Sequence, residues 1–350
     1  MPLIYQKAFS MLKKVYLFIL FVFPVFFAKA QIGGEYTYEF LELTNSARIG
    51  ALGGNQTAID DSTDLNLPYN NPALLHKSME NRVLVNYVNY LSDVNYGYVS
   101  FAQSFDSIGN FALGVLYINY GSFDEATELG GVTGNVFKAA EYAFHLMYSN
   151  QYIRLRYGAT LKPILSSFES YQSFGLAADL GISFSSKGKL TNVALVARNI
   201  GGQLTTYYDN GEKEKIPLNV QAGISQRLKH APVILSANMQ YLNKWDLGFA
   251  TQENESEDFY VQEESFAKQI MRHMVLGVEI LPSQNFTIRA GYNYLRRQEL
   301  KFEDFGSMVG FSAGFGLKIK RFRLDYAISQ YHLAGSSNLF SLSINLNNNF

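Results

Sequence analysis

Apolar and polar residues alternate with a period of two along most of the chain after residue 82. Within residues 142–149, for example, large apolar side chains occupy every second position, at Tyr142, Phe144, Leu146 and Tyr148. This alternation is typical of β-strands whose two faces meet different surroundings. The repeats correspond to about 14 strands, and an even number of strands of this length is typical of outer-membrane barrels.

The connections between these strands are predicted to alternate in length. Tight turns are predicted at residues 150–151, 185–189, 282–284 and 320–321. Long connections are predicted at residues 121–140, 201–216, 243–272 and 296–306, with a short first hairpin at 91–94 as the exception. Short turns at one end and long loops at the other are typical of outer-membrane barrels. The sequence therefore predicts an all-β, transmembrane, antiparallel barrel over residues 82–350.

Residues 31–81 lack this alternation and are predicted to form a plug inside the barrel. Glycines follow a possible short helix at residues 46–52. Pro72 disfavours helix at Asn71, so a turn and one further helical turn are expected there. Because so small a segment cannot build its own core, it must pack inside something larger.

The first 30 residues have the pattern of a signal peptide. Lys13 and Lys14 precede an apolar run at residues 15–27, and an A-x-A cleavage pattern ends at Ala30. A membrane anchor is the weaker alternative because the run is short. We therefore expect cleavage near Ala30 and a mature chain in the outer membrane, in contact with its lipid.

The composition excludes several classes of protein. The chain contains no cysteine, so it has no disulfide, lipoprotein anchor or cysteine metal site. A net charge of −1 offers no basic surface for nucleic acid. After residue 30, no apolar run is long enough for a membrane-spanning helix.

Most charged strand residues fall in the inward, polar phase of the alternation. They are Arg154, Arg156, Asp179, Arg198, Glu279, Arg289, Lys318, Arg323 and Asp325. We interpret them as lining a wet lumen and hydrogen-bonding the plug, with a substrate-selective ring as the alternative. The inward positions also include Gly310, Gly314 and Gly316, which would let the plug helix approach closely. Inward residues are mainly small or polar, which argues against an apolar conduit.

No motif for catalysis or cofactor binding is present, so we expect a protein without enzymatic activity or cofactor. The histidines show no metal-ligand spacing; they are His76, His145, His230, His273 and His332. Asp60, Asp61 and Asp64 could bind Ca²⁺, but we favour a solvated, helix-capping turn because the EF-hand pattern is missing.

Two features near the carboxyl terminus suggest interactions. The acidic stretch at residues 253–264 could be a solvated loop or a docking surface for a partner outside the cell. Its candidate contact residues are Phe259, Tyr260, Val261, Glu263 and Glu264. The terminal Phe350 is in phase with the apolar face of the last strand, and we expect the barrel-insertion machinery to recognise it as an assembly signal.

The predicted plug carries a recognisable motif. Its residues are Ser46, Ala47, Arg48, Leu52, Gly53, Gly54, Asn70, Asn71 and Pro72. This motif resembles the amino-terminal hatch of FadL-like outer-membrane barrels. Together with residues 38–41 and 65–69, it resembles more narrowly the PorQ family of the type IX secretion system of Bacteroidota, which is related to PorV.

The resemblance implies two functions. A PorQ-like barrel would hold the surface protein PorZ in the attachment complex with PorU and PorV, which processes secreted cargo and links it to lipopolysaccharide. A FadL-like barrel would instead transport hydrophobic small molecules across the outer membrane. An apolar ligand path through the interior would distinguish the second function from the first.

Overall fold

The structure is a computed structural model that describes residues 36–90, 94–126, 132–209, 211–247, 265–300, 308–332 and 335–347. Three predicted features lie outside the described residues. They are the signal peptide at residues 1–30, the candidate partner residues between Phe259 and Glu264, and the terminal Phe350.

The described residues form 14 antiparallel strands, each paired with its neighbours in sequence, and β14 pairs with β1 to close a barrel. The strands are β1 (Arg82–Asn89), β2 (Asn95–Phe105), β3 (Gly109–Ala126), β4 (Val132–Tyr152), β5 (Leu155–Phe168), β6 (Tyr171–Ser185), β7 (Thr191–Gln203), β8 (Asn219–Arg227), β9 (Val233–Met239), β10 (Met274–Ile280), β11 (Phe286–Asn293), β12 (Phe311–Ile319), β13 (Phe322–His332) and β14 (Gly335–Asn345). The predicted antiparallel barrel is confirmed.

The two faces of the strands differ as the alternation predicted. In β4, Leu146 points outward and is 46% exposed, whereas the adjacent Met147 points inward and is 3% exposed. Large apolar side chains such as Leu113, Leu180 and Leu235 are exposed in the same way around the barrel. An apolar outer band of this kind meets the hydrocarbon of a membrane, where burial of apolar surface in lipid replaces burial in a core.

The predicted alternation of short and long connections is wrong in part. Residues 121–140 were predicted to be a loop, but most of them continue β3 and β4, with Phe123 paired to Phe137 and their rings stacked 5.3 Å apart. The β5–β6 connection at this end spans only residues 169–170. We call the end that carries residues 204–209, 211–218, 240–247 and 265–273 the long-loop end, and the opposite one the short-turn end.

Among the described residues, helical structure is confined to the amino-terminal segment, defined here as residues 36–81, and to two loops. The segment contains 3₁₀ turns at Glu39–Glu42, Pro72–Leu74 and Lys77–Met79, and the helices α1 (Ala47–Ala51) and α2 (Leu67–Asn70). The loops contain α3 (Phe266–His273) and α4 (Tyr294–Leu300). No helix among the described residues is both long and apolar enough to cross a membrane.

Helix α1 begins and ends where its sequence dictates. The Ser46 side chain accepts a long hydrogen bond from the Ile49 backbone nitrogen, at 3.5 Å, and so caps the first turn. Gly53 and Gly54 follow the helix with φ angles of 97° and 103°, which other residues adopt only with strain. The glycine pair therefore ends the helix and turns the chain along the barrel wall.

Candidate functional site

The amino-terminal segment lies against the inward faces of the strands and is itself buried. The backbone nitrogen of Ala47 donates a hydrogen bond to Ser341 of β14 at 3.0 Å, and that of Gly53 donates to Ser312 of β12, also at 3.0 Å. Ser329 of β13 donates to the carbonyl oxygen of Gly50 at 3.2 Å. Three neighbouring strands thus satisfy backbone groups in and just after α1 with serine hydroxyls, as burial of those groups requires.

Arg48 of α1 joins the segment to the barrel wall. Its Nε and Nη2 donate to the two carboxylate oxygens of Glu279 on β10, at 2.9 and 2.7 Å. Its Nη1 donates to Asp61 and Asp64, both at 2.8 Å. Arg48 is 3% exposed, so its charge is balanced almost entirely by these three carboxylates.

The other partners of these acids close a cycle of alternating charge. Arg289 on β11 bridges Glu279 at 2.7 Å and Asp325 at 2.6 Å. Arg323 on β13 bridges Asp325 at 2.9 Å and then reaches Asp61 and Asp64 at 3.0 and 3.3 Å. We call this set the charge ring; its members are Arg48, Asp61, Asp64, Glu279, Arg289, Arg323 and Asp325.

The charge ring corrects the prediction of a solvated turn at residues 60–64. Asp64 is fully buried. Burial alone would raise the pKa of Asp61 and Asp64, but Arg323 and Arg48 outweigh it and hold both pKa values below the usual range. Asp60 is paired separately with Arg156 of β5, at 3.0 Å, and with His76, at 2.9 Å.

A polar cleft of about 340 Å³ opens onto the charge ring from the short-turn end. Asp61 and Lys318 line this cleft, and the Asp61 side chain is 28% exposed. Water and protons therefore reach the ring from one end of the barrel. Among the described residues, no group of three or more histidine and acidic side chains is arranged to hold a metal ion.

The depressed pKa values predict acid sensitivity. Because the folded-state pKa values of Asp61 and Asp64 lie below the unfolded value of about 4, their stabilisation is present above that pH and is lost as the pH falls through the folded values. Folded barrel, measured by its faster migration on unheated gels, should decline below about pH 4. Asp61→Asn should flatten the dependence of folding on pH. Asp106→Asn is the control and should leave it unchanged, because the Asp106 side chain is 83% exposed. Identical pH profiles for the wild type and Asp61→Asn would refute the explanation.

A second contact holds the turn after α2. Gly158 of β5 and Gly181 of β6 are paired across the strands and face the chain at residues 71–73. A Cβ atom on Gly158 would lie 2.5 Å from the Pro72 carbonyl carbon. Asn71 donates to the carbonyl oxygen of Thr57 at 3.0 Å, so this turn is also tied to its own segment. Only glycine at these wall positions leaves room for the backbone of the turn.

Gly158→Val should therefore displace the turn at residues 71–73. The backbone that a new side chain meets cannot move away as a flexible side chain can, so we expect a loss of about 1–3 kcal/mol or more. Gly202→Val is the matched control, because nothing lies within 4 Å of its would-be Cβ. Urea unfolding in lipid bilayers measures both variants. Equal effects of the two substitutions would show that the turn does not contact the wall.

The interior is not the uniformly polar lumen that the sequence predicted. The inward faces of β1–β4, which we call the apolar inner face, carry mainly apolar side chains, among them Leu84, Val88, Tyr96, Tyr98, Leu116, Ile118, Ala143 and Met147. Phe40, Leu41, Leu65 and Tyr69 of the amino-terminal segment belong to the same buried apolar cluster, and the Tyr69 ring lies 5.1 Å from that of Tyr98 on β2. The charge ring lies on β10–β13, and further buried charges, Arg156, Lys162, Asp179 and Arg198, lie on β5–β7. Averaged over all strands, the inward positions are mainly small or polar, so their composition did not reveal the apolar inner face.

Several predicted inward charges lie as expected, and others do not. Arg198 is 2% exposed and Asp179 is 1% exposed, so both point inward. Arg154 is instead exposed in the tight turn before β5, because that strand begins only at Leu155. Lys162 was not predicted as an inward charge, yet it is 1% exposed and lies 2.6 Å from Asp179. Its inward phase on β5 was the signal that could have identified it.

No protein-family model and no curated protein matches this sequence. Solved structures similar to the chain include the toluene transporter TodX of Pseudomonas putida, with a TM-score of 0.52 and 12% identity over 86% of this chain and 96% of TodX. They also include the toluene transporter TbuX of Ralstonia pickettii, with a TM-score of 0.54 and 12% identity over 88% of this chain and 99% of TbuX. The fold is that of the FadL-type outer-membrane barrels. Identities this low show a shared fold and nothing further.

Within this FadL-type barrel, the described motif residues all belong to the buried amino-terminal segment. Ser46 caps α1 and Arg48 enters the charge ring. Asn71 and Pro72 contact Gly158 of β5 and Gly181 of β6. Gly316 of the predicted glycine track lies against Arg289 and Asp325, and Gly314 lies against Ala51 of α1. The motif thus coincides with the points where the segment contacts the wall.

Proposed function

We propose that the protein resides in the outer membrane and transports hydrophobic small molecules across it, without enzymatic activity. The observation that carries this proposal is the apolar inner face. It supplies the apolar surface for a solute that a uniformly polar lumen would lack. TodX and TbuX, which share the fold, are toluene transporters, and this supports the same class of cargo.

The division of the interior suggests how a path would open. Moving the amino-terminal segment away from the wall on the charge-ring side would separate buried charges, which costs several kcal/mol. On the apolar inner face, Tyr69 and its apolar neighbours make non-directional contacts that a hydrophobic solute can replace. The hydrogen bonds from Asn86 to Asn66 and from Tyr96 to Thr44 would also break. Transport therefore requires the amino-terminal segment to shift away from β1–β4 while Arg48 stays bound. In this mechanism the segment is a plug that stays anchored at the charge ring and at β5 and β6.

A second candidate function is the attachment role implied by the PorQ-like motif. The observation that favours it is that the motif residues Arg48, Asn71 and Pro72 fix the segment to the wall. A barrel with a fixed interior acts through its loops, and the partner would be PorZ together with PorU and PorV. The contact residues would then lie in the acidic stretch at residues 253–264. The fold similarity favours transport over this role.

Deleting the gene in its own host separates the two functions. If the protein is a transporter, uptake of a radiolabelled monoaromatic hydrocarbon should fall, and the wild-type gene should restore it. Secreted proteins should remain attached to the cell surface. If instead uptake is unchanged and surface proteins appear in the medium, the attachment role is correct and the transport proposal fails.

Assembly of the barrel is expected to depend on the terminal Phe350. Phe340 of β14 and Leu346, which directly follows that strand, are 48% and 50% exposed, so the apolar phase continues past the end of β14. Deleting Phe350 should lower the amount of folded barrel in the outer membrane, measured on unheated gels. A second variant lacks Asn349 but still ends in phenylalanine, which is then shifted out of the apolar phase of the strand. It tests whether the terminal position or the phase of the phenylalanine matters. An unchanged yield in the Phe350 deletion would refute the prediction.

A further inference from the structure

The sequence contains a single tryptophan, and it lies at the long-loop end of the barrel. Trp245 follows β9 and is 45% exposed. Its ring stacks on His273 at 5.3 Å and contacts Phe266 at 5.7 Å, and its Nε1 donates to Gln269 at 3.0 Å. The tryptophan and helix α3 therefore form one unit, which we call the α3 patch.

The α3 patch is fixed to the barrel. His273 is fully buried, with its Nδ1 2.7 Å from the carbonyl oxygen of Gln240 and its Nε2 3.1 Å from that of Trp245. The Gln240 backbone nitrogen donates to the His273 carbonyl oxygen at 3.0 Å, which continues the pairing of β9 with β10. The patch consequently has a defined height relative to the strands.

That height coincides with the upper edge of the apolar outer band. Helix α3 ends at His273, and Leu276 of β10 already points outward with 40% of its surface exposed. Leu276 lies three positions after His273, about 10 Å along the chain. The exposed part of the α3 patch contains Phe266, which is 67% exposed, Met271, which is 37% exposed, and the cation Lys268. It is therefore apolar and carries a positive charge.

We propose that the α3 patch is a lipid-binding site, in which Trp245 and Phe266 insert at the boundary between acyl chains and headgroups of the outer leaflet. Continuity with the lipid-facing band identifies the occupant. Tryptophan is enriched at that boundary because its ring is apolar and its N–H is polar. Lys268 complements the anionic groups of the lipid surface. The helix would lie on the membrane at this side of the barrel and not project as a docking site for a protein. The inference does not depend on which proposed function is correct.

Because Trp245 is the only tryptophan, its fluorescence reports on this position alone. The full-length mature barrel is reconstituted in vesicles of phosphatidylcholine and, in parallel, in vesicles of phosphatidylcholine brominated near the glycerol end of the acyl chains. Bromine quenches tryptophan on contact. If the proposal is correct, the brominated lipid should lower the emission about twofold or more, as expected for an interfacial ring.

Two variants calibrate the result, each in a Trp245→Phe background. Leu276→Trp places the reporter in the apolar outer band, and Tyr208→Trp places it in a long loop where the native side chain is 63% exposed. Quenching of Trp245 close to that of the Leu276→Trp barrel supports the lipid site. Quenching no greater than that of the Tyr208→Trp barrel would overturn it and leave the patch facing water or a protein. Migration on unheated gels verifies that each variant is folded.

Discussion

Replacing Arg48 by methionine should destabilise the folded barrel by about 3–5 kcal/mol, the largest effect that we expect from one substitution. Methionine fills similar space but leaves Asp61, Asp64 and Glu279 without their shared cation. Arg289 and Arg323 remain, yet each already balances Asp325. The loss comes from an uncompensated buried charge and not from a cavity. Urea unfolding in lipid bilayers measures it.

Two further variants make this test specific. Arg227→Met removes an exposed cation that lines the same cleft and should change stability little. Arg48→Lys keeps the charge, but an ammonium group cannot reproduce the fork that binds both oxygens of Glu279, so it should rescue only part of the loss. Similar stabilities for Arg48→Met and Arg227→Met would show that the charge ring does not hold the segment.

Leu146→Arg should cost about 2–4 kcal/mol, because it places a cation in the middle of the lipid-facing band. Leu146 is 46% exposed and lies near the centre of the part of β4 that pairs with β5. In water such a substitution would be harmless, so a large loss is evidence for lipid on this face. The measurement is again urea unfolding in bilayers.

The control for this prediction is Ile319→Arg. Ile319 also points outward, with 56% exposure, but it is the last residue of β12 at the short-turn end. Charge costs only about 0–1 kcal/mol near the membrane interface, so this variant should be mild. Should the two variants lose the same stability, the position assigned to the membrane along the strands would be incorrect.

The sequence was sufficient to predict the barrel because alternation is local information. Each strand shows which of its residues share a face, as Leu146 and Met147 illustrate, without knowledge of its neighbours. The short helix after Ser46 and its end at Gly53 were also predictable, since capping and glycine signals act within one turn.

The charge ring could not be predicted in the same way. Whether Glu279 meets Arg289 or a neighbouring residue depends on the register of β10 with β11, and no local pattern fixes that register. The approach of Arg48 further depends on how the segment folds back inside the barrel. Residues 121–140 were mistaken for a loop because their glycines and charges resemble loop composition, although Phe123 and Phe137 pair within a ribbon.

The proposed transport requires the amino-terminal segment to shift away from the apolar inner face. A reversible bridge between the segment and β1 tests it. Asn86 on β1 donates a hydrogen bond to Asn66 in the segment at 2.8 Å, and both residues are buried. The native chain has no cysteine, so Asn66→Cys with Asn86→Cys introduces the only thiols. A short dithiol-reactive reagent joins them during refolding through bonds that a reductant can break.

The decisive measurement is the uptake of a monoaromatic hydrocarbon by vesicles that contain this double variant, before and after reduction. If transport requires the shift, the bridged barrel should admit no more solute than vesicles without protein, and reduction should restore uptake to the level of the variant that was never bridged. Uptake by the bridged barrel at the same rate as by the reduced barrel would show that transport does not require the segment to move.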